Sequence, residues 1–134
     1  MDVRNAGKSN GTAVQAYDCN GTGAQTWVYS TTNKSLRNPN SNRCLDGNNM
    51  ATGKGLYIWD CNGTSAQRWV PFRADSTGRS PGYRNPDSGK CIDANDRRNG
   101  RQFIVYPCNY SLAQWWGMGL YSAYPSSISS PTTT

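Results

Sequence analysis

Residues 57–69 read Tyr57-Ile58-Trp59-Asp60-Cys61-Asn62-Gly63-Thr64-Ser65-Ala66-Gln67-Arg68-Trp69. An aromatic and β-branched run of strand length leads into a cysteine, an Asn-Gly turn signal follows, and Gln-x-Trp closes the stretch. The same order recurs at Gln15-Ala16-Tyr17-Asp18-Cys19-Asn20-Gly21, then Ala24-Gln25-Thr26-Trp27. It recurs again at Ile104-Val105-Tyr106-Pro107-Cys108-Asn109-Tyr110, then Ala113-Gln114-Trp115-Trp116. Trp27, Trp69 and Trp116 are 42 and 47 residues apart, and Cys19, Cys61 and Cys108 follow the same steps. Upstream, Met1-Asp2-Val3, Cys44-Leu45-Asp46 and Cys91-Ile92-Asp93 complete the correspondence. A single Gln-x-Trp says little; three at one place in a threefold repeat are specific.

Each repeat is too short and too polar to fold alone, so three must share one core. Trp27, Trp69 and Trp116 supply large apolar surfaces for it. Gln25, Gln67 and Gln114, two residues earlier, read as structural, each needing its amide satisfied when buried. Asn38-Pro39 and Asn85-Pro86 are turn signals. No stretch of helical length keeps a helical apolar period, so the expected class is all-β.

Composition narrows the chemistry. The 134 residues suit one domain. All 8 acids are Asp, and the chain has no His and no Glu. Imidazole metal sites, Ser-His-Asp triads and Cys-His pairs are therefore excluded. Glycoside hydrolysis needs two facing carboxylates, whereas here one Asp recurs per repeat. The expectation is a binding module with no catalytic residues, no cofactor and no metal. Mean hydropathy is −0.79, and no apolar run approaches the roughly 18 residues of a membrane span. The net charge of +6 is scattered. Its one dense cluster, Arg97, Arg98 and Arg101, reads as a solvated loop, so nucleic acid is not an expected partner. Five cysteines in so polar a chain point to an oxidising, extracellular compartment. The polar opening Met1-Asp2-Val3-Arg4 does not read as a signal peptide, so export information is expected to lie outside the chain.

The three Gln-x-Trp units resemble the ricin B-type lectin family over about residues 1–118. That resemblance implies a β-trefoil: twelve strands in three lobes, each lobe carrying a shallow sugar site. It divides the chain into repeats at about 1–29, 30–71 and 72–118, followed by a Ser/Thr/Pro-rich tail or linker over 119–134. The equal spacing of Cys44 to Cys61 and Cys91 to Cys108 makes disulfides within repeats two and three natural, and the resemblance implies the same pairing. Each would contribute very roughly 3 kcal/mol. Cys19 is left over, and its expected partner position falls immediately before Met1. Two expectations follow. The chain lacks the first strand of repeat one, or residues 119–126 supply a strand that closes the trefoil.

Sugars are held by hydrogen bonds to vicinal hydroxyls and by an aromatic face against the C–H face of the ring. By the resemblance, Asp2, Asp46 and Asp93 are the sugar-holding acids, and Tyr17, Trp59 and Tyr106 the stacking aromatics. The polar position four before the second cysteine is kept as Gln15 but is Tyr57 and Ile104 elsewhere. The family's Asn before the Gln is Ala24, Ala66 and Ala113. Tyr57 beside Trp59 suits stacking, and Asn95 and Asn99 lie near the third site in sequence. Asn20, Asn62 and Asn109 are secondary candidates. An Asp at a strand end also serves as an Asx-turn acceptor, and a core role is the alternative for the aromatics, although Trp27, Trp69 and Trp116 already supply the core set. The implied function is recognition of galactose-type or xylan-type glycans by a monomeric, secreted module that targets a larger protein. Cys19 offers a crosslinking thiol. A trefoil that binds protein instead of sugar, or a fragment of a glycoside hydrolase, are the alternatives.

Overall fold

The computed structural model describes residues 1–72, 82–109 and 111–116, and the backbone of 132–133. Its strands are short because apolar alternation lasts only a few residues before each turn. They are β1 (Asp2–Val3), β2 (Val14–Gln15), β3 (Val28–Tyr29), β4 (Leu36–Asn38), β5 (Arg43–Asp46), β6 (Tyr57–Trp59), β7 (Val70–Phe72), β8 (Gly82–Arg84), β9 (Lys90–Asp93), β10 (Ile104–Pro107) and β11 (Thr132–Thr133). The three Gln-x-Trp segments open as 3-10 turns at Gly23–Gln25, Ser65–Gln67 and Leu112–Gln114. No α-helix forms among the described residues.

Three antiparallel hairpins repeat one register. Val3 faces Val14, Leu45 faces Ile58, and Ile92 faces Val105, and all six are fully buried. With a side-chain period of two, this inward set forces the alternate set outward. The next level crosses the repeat boundaries. β3 pairs with β4 and β7 with β8, giving sheets in the order β3-β4-β5-β6 and β7-β8-β9-β10. β11 lies parallel to β3 at the edge of the first sheet. The expected strand at 119–126 lies outside the described residues.

The threefold relation closes at the axis. Val14 N–H donates to the Leu56 carbonyl at 3.1 Å, Leu56 N–H to Phe103 at 2.8 Å, and Phe103 N–H to Val14 at 2.8 Å. This ring takes one residue from each repeat, and all three side chains are buried beneath it. Trp27, Trp69 and Trp116 fill the core, and each indole N–H donates at 3.1 Å to a carbonyl, of Met1, Leu45 and Ile92 respectively. Tyr29 packs on Tyr83 and Tyr83 on Trp116, with centroids 5.3 and 6.0 Å apart, which joins repeat one to repeat three by aromatic contact. Disulfides join Cys44 to Cys61 and Cys91 to Cys108. Cys19 is in neither and is exposed.

The two Asn-Pro steps do more than turn the chain. Asn38 and Asn85 are completely buried. Asn38 donates to the carbonyls of Gly23 and Thr26, and Asn85 to those of Ser65 and Arg68. Each therefore clamps the 3-10 turn of the preceding repeat.

Candidate functional site

The outward face of each hairpin carries the residues singled out by sequence. Asp2 lies opposite Gln15, Asp46 opposite Tyr57, and Asp93 opposite Ile104. Two residues along the same face, Trp59 lies opposite Cys44 and Tyr106 opposite Cys91. Direct opposition puts both residues of a pair on one face, so Asp46 and Asp93 each share a face with their aromatic beside a disulfide. Their depths differ sharply. Asp2, Asp46 and Asp93 are 5 to 6% exposed, whereas Tyr17, Trp59 and Tyr106 are 49, 40 and 41% exposed. The aromatics stay out of the core, and the carboxylates form a floor beside them.

Each floor is built the same way. Gln25, Gln67 and Gln114 are buried and donate to Oδ2 of Asp2, Asp46 and Asp93 at 3.0, 2.9 and 3.1 Å. The same amide nitrogens donate to the carbonyls of Asp18, Asp60 and Pro107. Their Oε1 atoms accept the backbone N–H of Asn20, Asn62 and Asn109, each at 2.9 Å. In repeats two and three the other carboxylate oxygen accepts the N–H two residues on, of Asn48 and Asn95, at 2.7 Å. The Asx-turn role and a ligand-facing role are compatible, because a carboxylate offers about four acceptor positions.

The repeats differ at the rim. In repeat one, Gln15 is buried, donates to Asp2 Oδ1 and accepts from Arg4 Nε at 2.8 Å. Its amide is engaged within the fold. Repeat two offers Tyr57 and Trp59, centroids 5.8 Å apart. The Tyr57 hydroxyl is pushed up in pKa by burial and by the Asp46 carboxylate, and like any phenol it is a donor at neutral pH. Repeat three offers Tyr106 with apolar Ile104. Asn20, Asn62 and Asn109 place Oδ1 on the N–H of Thr22, Thr64 and Ser111. Each makes an Asx turn that leads into the 3-10 turn, and its Oδ1 already accepts a backbone N–H. Where the family has Asn, the carbonyls of Ala66 and Ala113 accept from Gly47 and Ala94 and so anchor the loop after the acid.

One wall of the second site comes from repeat one, which sequence reasoning missed. Gly11 N–H donates to the Ile58 carbonyl at 2.8 Å, and Ile58 N–H to Thr12 at 3.0 Å. Gly11, at φ 90°, lies beside the Trp59 ring. Asn10 exchanges hydrogen bonds with Asp60, which also pairs with Arg43. The only sequence signal was the Asn-Gly turn at 10–11.

The family model described as ricin-type beta-trefoil lectin domain matches residues 1–116. No curated protein matches the chain. Among solved structures, the designed threefold-symmetric protein ThreeFoil is 25% identical, with a TM-score of 0.73 and 85% of each chain covered. The agglutinin from Abrus precatorius is 22% identical, with a TM-score of 0.72 over 86% of this chain and 42% of that one. A non-toxic homologue of type II RIPs from Momordica charantia, solved with alpha-methyl-D-galactoside, is 20% identical, with a TM-score of 0.66 over 84% and 40%. The likeness to the two plant proteins is one of fold, and the chain spans less than half of each.

Proposed function

The chain belongs to the ricin-type β-trefoil lectin family, and from that premise we propose that it is a carbohydrate-binding module for galactose-type glycans. Its principal site is Asp46 with Tyr57 and Trp59. The observation that carries this is the exposure of Trp59 on the same hairpin face as a buried, pre-oriented carboxylate. Remaining lone pairs of Asp46 accept from sugar hydroxyls, the Tyr57 hydroxyl donates, and the indole covers the apolar C–H face of the ring. The galactoside held by the Momordica relative supports galactose ahead of xylan. Asp93 with Tyr106, and Asp2 with Tyr17, are weaker copies of the site. Several weak sites on one body raise avidity by about 10²–10⁴ where geometry lets them engage together.

Two disulfides fit an extracellular module, and the Ser/Thr/Pro-rich 125–134 segment suits tethering to a larger partner. Titration with methyl galactoside, lactose and soluble xylan tests the reading. Galactosides should bind the native protein and lose affinity in Trp59→Ala. Binding to xylan alone would move the specificity, and no binding to any of the three or to a charged sugar would remove the lectin reading in favour of a protein-binding trefoil.

A further inference from the structure

The same glycine turn occurs three times, as Ser9-Asn10-Gly11-Thr12, Ala51-Thr52-Gly53-Lys54 and Arg98-Asn99-Gly100-Arg101. Gly11, Gly53 and Gly100 have φ of 90, 84 and 85°, where only glycine sits without strain. The residue after each glycine donates to the carbonyl three positions back, at 3.2, 2.9 and 3.0 Å. Only the third copy has arginine at both ends. The turn itself does not require these cations, since Ser9 and Thr12 make it equally well.

These arginines line an open cleft of about 570 Å³ where the three repeats meet. Arg4 enters it from repeat one, Gly53 and Gly55 from repeat two, and Arg98, Arg101 and Ile104 from repeat three. Three arginines and no acid line it. Ile104 is the residue opposite Asp93, and Asn95, whose N–H binds Asp93, also faces the cleft. The cleft is therefore continuous with the third sugar site. The Arg97–Arg101 stretch is solvated, with residues 97–100 exposed, and Asp96 ties two of its arginines. Asp96 accepts from Arg98 Nε at 2.9 Å and from Arg101 Nε and Nη2 at 3.2 and 2.8 Å. Arg4 Nη2 donates to the Gly100 carbonyl at 3.0 Å. One carboxylate orients two guanidiniums and neutralises one, and with Arg4 the cleft retains a net positive charge. Each guanidinium has five donors, so several remain for a ligand.

We propose that the third site takes an acidic saccharide, a sugar bearing a carboxylate or a sulfate ester, with its ring against Tyr106 and Asp93 and its anionic group in the arginine cleft. This rests on the lectin reading and deepens it. Ile104, in place of a polar residue, gives a neutral sugar little to hold there, while an anion gains charge-assisted, forked hydrogen bonds from Arg98 and Arg101. Asp96 pre-orders these side chains, which lowers the ordering cost of binding.

Calorimetric titration with methyl galactoside, galacturonic acid, galactose 6-sulfate and inorganic sulfate tests it, on the native protein and on Arg98→Gln and Arg101→Gln. Acidic sugars should bind roughly three- to tenfold tighter than the neutral one, and the variants should lose that increment while keeping neutral affinity. On the native protein alone, raising salt from about 0.05 to about 0.5 M should erode the acidic increment and leave neutral binding unchanged. Tight binding of acidic sugars without neutral ones also supports the proposal. Acidic sugars binding no better than neutral ones would overturn it and leave the lectin reading standing. Inorganic sulfate binding as well as the sulfated sugar would overturn it as a saccharide site. Failure of every sugar would remove the lectin reading and this one with it.

Discussion

Gln67 is buried, and its Nε2 lies 2.9 Å from Asp46 Oδ2 and 2.8 Å from the Asp60 carbonyl. The carboxylate proposed to meet ligand is thus held by the same amide that closes the hairpin. Gln67→Leu removes the donor and leaves Asp46, Asp60 and the Asn62 N–H short of partners. Each loss costs about 1–3 kcal/mol, so urea denaturation should show a stability loss of about 3 kcal/mol. A loss below about 1 kcal/mol would mean that solvent replaces these bonds. Asp46→Ala is correspondingly a poor binding probe, because it disturbs the fold as well as the site.

Trp59 and Trp69 separate binding from folding. Trp59 is 40% exposed and Trp69 is fully buried. Trp69→Ala should cost about 3–5 kcal/mol through the cavity it leaves. Trp59→Ala should change stability by about 1 kcal/mol or less while abolishing retention on immobilised galactoside. Equal losses of stability in the two variants would place Trp59 in the core.

Asn85 holds the 3-10 turn of repeat two from within repeat three. Asn85→Ala leaves the Ser65 and Arg68 carbonyls without that donor and should destabilise by about 2 kcal/mol. Asn38→Ala should do the same at the boundary of repeats one and two, since its bonds are equivalent. Amide exchange at Arg68 and Thr26 reports the local loosening, each in its own variant only.

Asp96 gives the arginine cleft a pH dependence. Its hydrogen bonds to Arg101 and Arg98 lower its pKa from 3.8 to about 2. A depressed folded pKa stabilises above the unfolded value and loses that contribution as pH falls through the folded one. The Asp96–arginine contacts should persist at pH 4 and release towards pH 2. A carbon-detected titration of the Asp96 carboxyl checks this, and Arg101→Gln should move its midpoint upward. An Asp96 that titrates near pH 4 in the native protein would show that the clamp is open in solution.

Much of the architecture was legible because it is written in local periodicity. The inward partners Leu45 and Ile58, and the outward Trp59, follow from alternation over three or four residues, and the cysteine spacing marked both disulfides. Other roles were not legible. Asn38 and Asn85 looked like turn residues because a side chain that donates to another repeat's carbonyls has no counterpart in sequence to reveal it. Gln15 read as a sugar-binding candidate, and only the structure shows that its amide also bonds Arg4 and Asp2. For Asn20, Asn62 and Asn109 the structure adds that each side-chain oxygen accepts the N–H two residues on.

The sequence by itself determined the threefold repeat, the all-β class, the core tryptophans and the residue types offered at each site. These depend on period and spacing, which act within one repeat. Only the tertiary structure decided which repeat's loop walls which site, as Gly11 does for Trp59, and that Arg4, Arg98 and Arg101 share one cleft. Those relations arise where threefold packing brings chain segments from different repeats together, and no local preference encodes that proximity.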